Sequence, residues 1–150
     1  QAVKAPDDCE LHYSIYHPIV LMTSRQCLFH QVTACEKNRV DDTCIQQCEK
    51  SSSITNLKNN SFLIEKSKGN YHTIYNQNNF LNTDILNDLP SVFSSFMIDL
   101  RDVKTESKLL VSKSEVIQFF ENLLNGKADS ETKVKEVIQY TTSRQYKKGI

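Results

Sequence analysis

The chain has 150 residues, a length that suits one domain with a single core. Eighteen Lys and Arg residues balance eighteen Asp and Glu residues, so the formal net charge is zero and no global field draws the chain to nucleic acid or to an anionic membrane. The hydrophobic share is 39%, and no apolar run approaches the ~20 residues of a membrane span, which excludes a predicted transmembrane helix.

The two ends of the sequence suggest a piece of a longer protein. The first residues lack the basic-then-apolar order of a secretory signal, so the expected compartment is the cytoplasm. The chain opens at Gln1 without a methionine and ends on RQYKKGI, and we expect it to be a fragment.

A short strand is predicted near the start. Residues 10–16, ELHYSIY, alternate between two faces with the period of a β-strand. Pro18 should end that strand or place it at a sheet edge, because proline cannot donate to a sheet ladder. The apolar run IVLM at 19–22 is expected to extend the buried segment. TSRQCLFHQV is expected to turn into a short helix that begins near Thr23 or Ser24.

A β-hairpin is predicted in the middle of the chain. Residues 51–60, SSSITNLKNN, are polar and predict a turn. SFLIEK at 61–66 and YHTIYN at 71–76 predict two strands, and Gly69 between them can adopt a positive φ.

Helical periodicity follows the hairpin. Residues 82–96 carry apolar side chains at helical spacing, with Asn82 or Thr83 as the N-cap and Pro90 as a break or a second start. FMIDLR at 96–101 predicts a short buried strand that ends in charged residues.

Two further helices are predicted near the end. Ser112 and Glu115 form a capping-box pattern before an apolar stripe, and Gly126 suits the C-terminal cap of that helix. Residues 129–141, DSETKVKEVIQYT, predict a more weakly amphipathic helix, followed by a loose strand or tail.

In chain order these elements predict an α/β fold, or α+β if the chain stands alone. Four segments are expected. They are a terminal strand and lead-in at 1–26, a four-cysteine module at 27–50, a polar loop with the hairpin at 51–81, and a helix-strand-helix-helix segment at 82–150.

Four of the five cysteines lie close together in the sequence. Cys27, Cys35, Cys44 and Cys48 are separated by seven, eight and three residues, so the intervening loops can fold back and bring four thiolates to one centre. Disulfides are disfavoured, because the chain lacks a secretory signal and has an odd number of cysteines. Buried free cysteines that act as small hydrophobes are also the less favoured interpretation, because four of them lie within 22 residues. A structural zinc and an iron–sulfur cluster both accept four thiolates, and the spacing alone does not choose between them.

Cys9 and His30 are not expected to be ligands of the array. Cys9 stands apart before the first strand and is interpreted as an incidental thiol. His30 lies between two cysteines and could substitute for one of them, but a packing or surface role is favoured.

The stretches PIVLMTSRQCLFHQVTAC and DDTCIQQCEKSSSITNLKN resemble peptidase family U32, the collagenase-like proteases, and most closely its bacterial branch that hydroxylates ribosomal RNA. The family places an apolar LM pair, an Arg-x-Cys and three further cysteines in this order, the last two as C-x3-C. FMIDLR stands where the family has a strand with an acidic residue near its end. His17-Pro18 departs from the glycine that many members carry after the first strand.

The resemblance implies a parent enzyme with a TIM-like barrel, of which this chain would carry the last strand–helix units with the cysteine module and the inserted hairpin. It implies an iron–sulfur cluster, 4Fe-4S, as cofactor, with zinc as the alternative, and a prephenate-derived oxygen source. It also implies RNA as a partner through the parent protein, and the remainder of the barrel as a partner of this chain.

Two alternative functions stay open. The family name suggests a collagenase-like peptidase, yet the sequence has no HExxH, no GxSxG and no glycine-framed catalytic cysteine. A zinc-stapled, non-catalytic module is the other alternative. The isolated fragment is expected to be inactive, because it lacks most of a barrel.

Three charged residues are candidate substrate or anion contacts. Arg25 lies next to the first cysteine of the array, where it could instead cap the module structurally. Asp99 and Arg101 end a predicted strand, and charged residues at the carboxyl ends of barrel strands often face the active site. A salt bridge that closes the strand is the simpler interpretation of that pair.

Aromatic residues near the hairpin could stack on bases. Tyr71, Tyr75 and Phe80 lie near Lys66 and Lys68 in the sequence, a combination typical of single-strand binding. Packing within the hairpin is the favoured interpretation.

Overall fold

A computed structural model of the chain describes residues 8–32, 35, 37, 39–88 and 92–144. The chain forms two compact units. The discontinuous unit contains the residues up to Pro18 and those from Asn78 onward, and the inserted unit is Ile19–Gln77.

The described elements follow one another along the chain as β1 (His12–His17), β2 (Val20–Ser24), α1 (Leu28–Val32), α2 (Asp42–Gln46), β3 (Lys50–Thr55), β4 (Ser61–Ser67), β5 (Tyr71–Tyr75), β6 (Phe80–Leu81), α3 (Ile85–Asp88), β7 (Ser95–Ile98), β8 (Lys108–Leu109), α4 (Lys113–Leu124), α5 (Ser130–Val137) and β9 (Ile138–Gln139).

The inserted unit is built on an antiparallel four-stranded sheet in the order β2-β5-β4-β3. The predicted hairpin of β4 and β5 is confirmed, and Gly69 in its turn has φ of 81°. A small core forms on one face of the sheet, where Cys27 and Phe29 pack with Ile64.

The predicted turn at 51–60 is wrong over its first half, because β3 runs through Thr55. Every residue of β3 pairs with β4, from Lys50 opposite Lys66 to Thr55 opposite Ser61. The tertiary pairing therefore overrides the weak strand propensity of the serines. Only the last residues form the turn, in which the side-chain oxygen of Asn56 accepts from the backbone of the residues that follow.

The expected buried continuation at 19–22 is also wrong beyond Ile19. Ile19 is buried, but Val20, Leu21 and Met22 are 48%, 51% and 43% exposed. They belong to β2, an edge strand that pairs with β5 alone. Because that pairing continues to Ser24, helix α1 begins at Leu28, later than the sequence predicts.

The discontinuous unit contains a three-stranded sheet in the order β6-β1-β7, in which β1 is antiparallel to β6 and parallel to β7. The predicted strand before Pro18 is confirmed. Its pairing with β7 shifts register between Ser14 and Tyr16, and both Ile15 and Tyr16 are buried there. The core of this unit consists of Ile15, Tyr16, Leu81, Ile85, Val116, Phe120, Val134 and Ile138.

Helix α4 confirms the capping-box prediction in detail. The Ser112 side chain accepts from the Glu115 backbone N–H, and the Glu115 carboxylate accepts from the Ser112 backbone N–H. Gly126 follows the helix with φ of 66°. Helix α5 is shorter than predicted, because its chain continues into β9, which pairs with β8.

The predicted helix at 82–96 is largely wrong. Only α3 is helical in the described part of that range, while the break at Pro90 lies outside the described residues. The segment ends in β7 instead, because Ser94 and Ser95 donate to the Leu11 carbonyl as they align beside β1. Pairing with a neighbouring strand therefore determines the secondary structure at the end of this segment, as it does for β3.

The architecture is mixed α/β with separate sheets, which agrees with an α+β chain. Across the described ranges, no sheet closes into a barrel. Within the same ranges, none of the helices combines the length and the hydropathy that a bilayer span requires.

Candidate metal centre

One face of the four-stranded sheet forms the base of the candidate site. Alternate residues of a strand point to the same face, and paired residues in neighbouring strands share it. Lys50, Lys66 and His72 therefore form a row across β3, β4 and β5. Ile64 lies on the same face and packs against Phe29 of α1 and against Cys27, which directly precedes that helix. Apolar packing therefore holds the first cysteine of the array against the sheet.

A cavity of about 740 Å³ lies beside this packing. The structure brings together in its wall the four cysteines that the sequence singled out, Cys27, Cys35, Cys44 and Cys48. Three lysines, Lys37, Lys50 and Lys66, line the same cavity, and among the described residues no Asp or Glu does. Soft sulfur donors and lysine side chains thus line the same cavity.

Helix α2 positions Cys44, which is buried. Asp41 is the N-cap, and its carboxylate accepts from the Cys44 backbone N–H at 2.8 Å. The Lys37 ammonium lies 2.7 Å from the same carboxylate and, together with that backbone N–H, holds the pKa of Asp41 well below its usual range. The cap is therefore charged at neutral pH, where it fixes the start of the helix.

The other two cysteines lie on the loops beside these helices. The backbone N–H of Cys35 donates to the Phe29 carbonyl at 3.3 Å, and Cys48 lies between α2 and β3. Helix α2 is tied to the hairpin by a bond of 2.6 Å from the Gly69 backbone N–H to the Ile45 carbonyl. Backbone contacts thus order the loops that carry these thiols.

Lys66 is the most buried cation in the described part of the site, with 4% of its surface exposed. Its Nζ lies 3.9 Å from Cys27 Sγ. Lys50, opposite it in β3, is exposed at the rim.

His72 is fully buried beside Lys66. Its Nε2 lies 3.2 Å from the Asn70 side-chain oxygen, while Nδ1 has no hydrogen-bond partner among the described residues. Burial and, to a smaller extent, the charge of Lys66 lower the pKa of His72. The ring is thus neutral at physiological pH and does not compensate the charge of its neighbour.

The donor set fits an iron–sulfur cluster by its chemistry. Four cysteine thiolates are the usual ligands of a 4Fe-4S cluster, and four of them line one cavity here. In the described ranges, no group of three His, Cys, Asp or Glu side chains is close enough to hold a single metal ion. Structural zinc takes four thiolates as well, so the donor set has the chemistry of either group.

Arg25 and His30 lie at a different cavity of the inserted unit, of about 410 Å³, which Cys27 and Arg39 also line. The Arg25 guanidinium stacks 4.8 Å from the centre of the Tyr71 ring. The backbone carbonyl of Arg25 accepts a hydrogen bond from the Asn70 side chain. Arg25 therefore ties the start of the cysteine module to the hairpin. His30 is exposed and does not line the cavity of the four cysteines.

Asp99 and Arg101 belong to the discontinuous unit and form a salt bridge. Arg101 Nη2 lies 2.7 Å from the Asp99 carboxylate, and Nε lies 2.9 Å from the same oxygen. This guanidinium lowers the pKa of Asp99. Arg101 also lines a cavity of about 410 Å³ with Tyr16 and Asn79, so the ion pair lies beside a cleft of its own unit.

The remaining candidates do not line the cysteine cavity. Tyr75 and Phe80 are buried, so these two rings are not presented to a base, whereas Tyr71 is 41% exposed. Cys9 is exposed and is contained in the discontinuous unit.

The three lysines of the cavity were not recognised from the sequence as parts of the site. A signal for one of them exists, because Phe62, Ile64 and Lys66 alternate in β4 and share its inner face. A lysine in phase with core residues indicates a buried charge that needs a partner.

Comparisons with family models, with curated proteins and with solved structures find no match to this chain.

Proposed function

We propose that the four cysteines hold a 4Fe-4S cluster and that the chain is part of a U32-type enzyme that hydroxylates RNA. The proposal of a cluster is based on one observation, the cavity that is lined by Cys27, Cys35, Cys44 and Cys48. Their resemblance to the RNA-hydroxylating branch is the basis for the substrate class. When bound, such a cluster supplies one-electron transfer.

The residues of the chain have distinct roles in this proposal. The cysteines bind, Asp41 and the hairpin order the loops that carry them, and Lys66 places a buried positive charge beside Cys27. Arg25, Asp99 and Arg101 are the proposed anion or substrate contacts. Arg25 lines a neighbouring cavity beside Cys27, and Arg101 lines a cleft in the other unit.

One feature of the topology supports the proposed barrel. β1 and β7 are parallel neighbours, as strands of a TIM-like barrel are, and Asp99 follows the carboxyl end of β7. We propose that the remainder of the parent completes such a barrel. Cytoplasmic location belongs to the same proposal.

The test is metal and sulfide analysis with a visible spectrum on anaerobically purified protein. About four irons and four sulfides per chain are expected in the wild type. Cys44→Ser and, in case the buried site does not fold, Cys48→Ser should lose them, whereas Cys9→Ser should keep them. Zinc without sulfide would support the zinc-stapled module instead, and protein without any metal would refute a shared site.

A separate experiment tests whether the parent protein hydroxylates RNA. Nucleoside mass spectrometry of RNA from cells that carry Cys44→Ser in the parent protein should lack a nucleoside that is one oxygen heavier than its precursor. An unchanged nucleoside profile, together with loss of collagen cleavage by the parent, would favour the peptidase.

A further inference from the structure

Lys66 is a buried cation without a carboxylate in reach among the described residues. Only 4% of its surface is exposed, and none of the ion pairs formed by the described residues includes it. A lysine is rarely buried to this extent unless it is paired, because the ammonium loses its hydration. An anionic partner at this position would offset that loss.

The neighbours across the sheet do not provide that partner. Lys50 lies opposite in β3 and His72 in β5, so one neighbour is cationic and the other is a neutral ring. The contact that the described residues do offer is Cys27 Sγ, 3.9 Å from Nζ. This distance is longer than a hydrogen bond to oxygen, because the sulfur atom is larger.

The charges that line the cavity determine whether the reduction potential of a bound cluster rises or falls. A cluster bound by four thiolates carries net negative charge, and reduction adds one more electron to it without forming or breaking a bond. Fixed positive charge and N–H donors close to a ligand sulfur favour the reduced form. Lys37 also lines the cavity, but its charge is paired with Asp41, and Lys50 is exposed.

We infer that Lys66 is a positioning residue of the proposed cluster, which donates to the Cys27 thiolate and raises the reduction potential of the cluster. This inference rests on the proposed iron–sulfur function. It names Lys66 as the residue that adjusts the reduction potential of the proposed cluster. Lys66 acts through Cys27 and touches no substrate.

The experiment measures iron and sulfide content first and the midpoint potential second. Wild type, Lys66→Met and Lys50→Met are loaded anaerobically and titrated with dithionite while the electron paramagnetic resonance signal of the reduced cluster is recorded. Lys50→Met is the matched control. Lys50 belongs to the same row and lines the same cavity, but the contact with Cys27 Sγ is made by Lys66. Lys66→Met should shift the one-electron equilibrium at least tenfold towards the oxidised form, about 59 mV, and Lys50→Met clearly less.

Two further variants keep the inference testable if Lys66→Met does not load. Lys66→Arg retains the charge and the donors, whereas Lys66→Gln retains a donor alone. The expected order of potentials is wild type and Lys66→Arg above Lys66→Gln.

The outcomes separate the inference from the function it rests on. A wild type without iron and sulfide overturns both. A loaded wild type whose potential is unchanged in the Lys66 variants, or is shifted equally by Lys50→Met, overturns the role of Lys66 and leaves the cluster standing.

Discussion

Asn79 shows how single polar side chains are used inside this protein. It is 6% exposed, its Nδ2 donates to the Tyr16 hydroxyl at 2.8 Å, and its oxygen accepts from the Thr105 hydroxyl at 2.8 Å. Burial raises the pKa of Tyr16, while the donation from Asn79 opposes that rise. Buried polar groups are tolerated in a core when their hydrogen bonds are satisfied in this way.

Asn79→Ala should destabilise the discontinuous unit by about 1–3 kcal/mol, because the buried Tyr16 hydroxyl loses its donor. Chemical denaturation at neutral pH measures the free energy of unfolding. Asn87→Ala is the control, since Asn87 is exposed and its side chain forms no hydrogen bond in the described part of the chain. Equal unfolding free energies for both variants would contradict the buried network.

At the scale of elements, strand pairing overrides local preference. The serine-rich β3 and the end of the segment that leads into β7 both become strands because a neighbouring strand is available. The hairpin of β4 and β5 agrees with its local sequence, because Gly69 adopts the left-handed conformation that its turn requires.

Two glycines form a matched pair for testing that turn. Gly69 and Gly126 have φ of 81° and 66°, but a Cβ at Gly69 would lie 2.8 Å from the Tyr71 ring, whereas a Cβ at Gly126 meets nothing within 4 Å. Gly126→Ala should cost about 1–2 kcal/mol from backbone strain alone.

Gly69→Ala should carry the same strain and should also displace the Tyr71 ring, over which Arg25 stacks. We expect a larger loss of unfolding free energy in Gly69→Ala than in Gly126→Ala by chemical denaturation, and lower iron content after anaerobic loading in Gly69→Ala alone. Indistinguishable behaviour of the two variants would show that Tyr71 relaxes without consequence.

At the scale of the whole molecule, the two units differ in their cores. Among the described residues, eight buried side chains cluster in the discontinuous unit, whereas the buried cluster of the inserted unit contains Cys27, Phe29 and Ile64. A small core depends on additional cross-links, and metal binding adds directly to folding free energy. The proposed cluster would therefore stabilise the inserted unit in particular.

Removal of the metal should weaken the inserted unit selectively. Loaded protein and protein stripped by a chelator under anaerobic, reducing conditions are compared by hydrogen exchange. Peptides from β3 to β5 should exchange roughly tenfold faster or more after stripping, since the loss of the ligand lowers local stability. Peptides from α4 and α5 should be unchanged, and equal acceleration in both units would contradict the proposal.

The sequence by itself determined the features whose cause is local: the strand before Pro18, the Gly69 hairpin, and the capped helix from Ser112 to Gly126. It also identified the four cysteines, because their clustering is visible in the spacing. The assignment to an iron–sulfur enzyme of the U32 type stays a prediction.

Tertiary structure alone decided the rest. β3 and β7 depend on partners distant in sequence, and the exposure of Val20, Leu21 and Met22 follows from the position of β2 at a sheet edge. Lys66 meets Cys27 across 39 residues of sequence, so no local pattern could pair them. The free energy of such contacts arises from neighbours that chain order does not specify, whereas turns and caps are governed by the residues that form them.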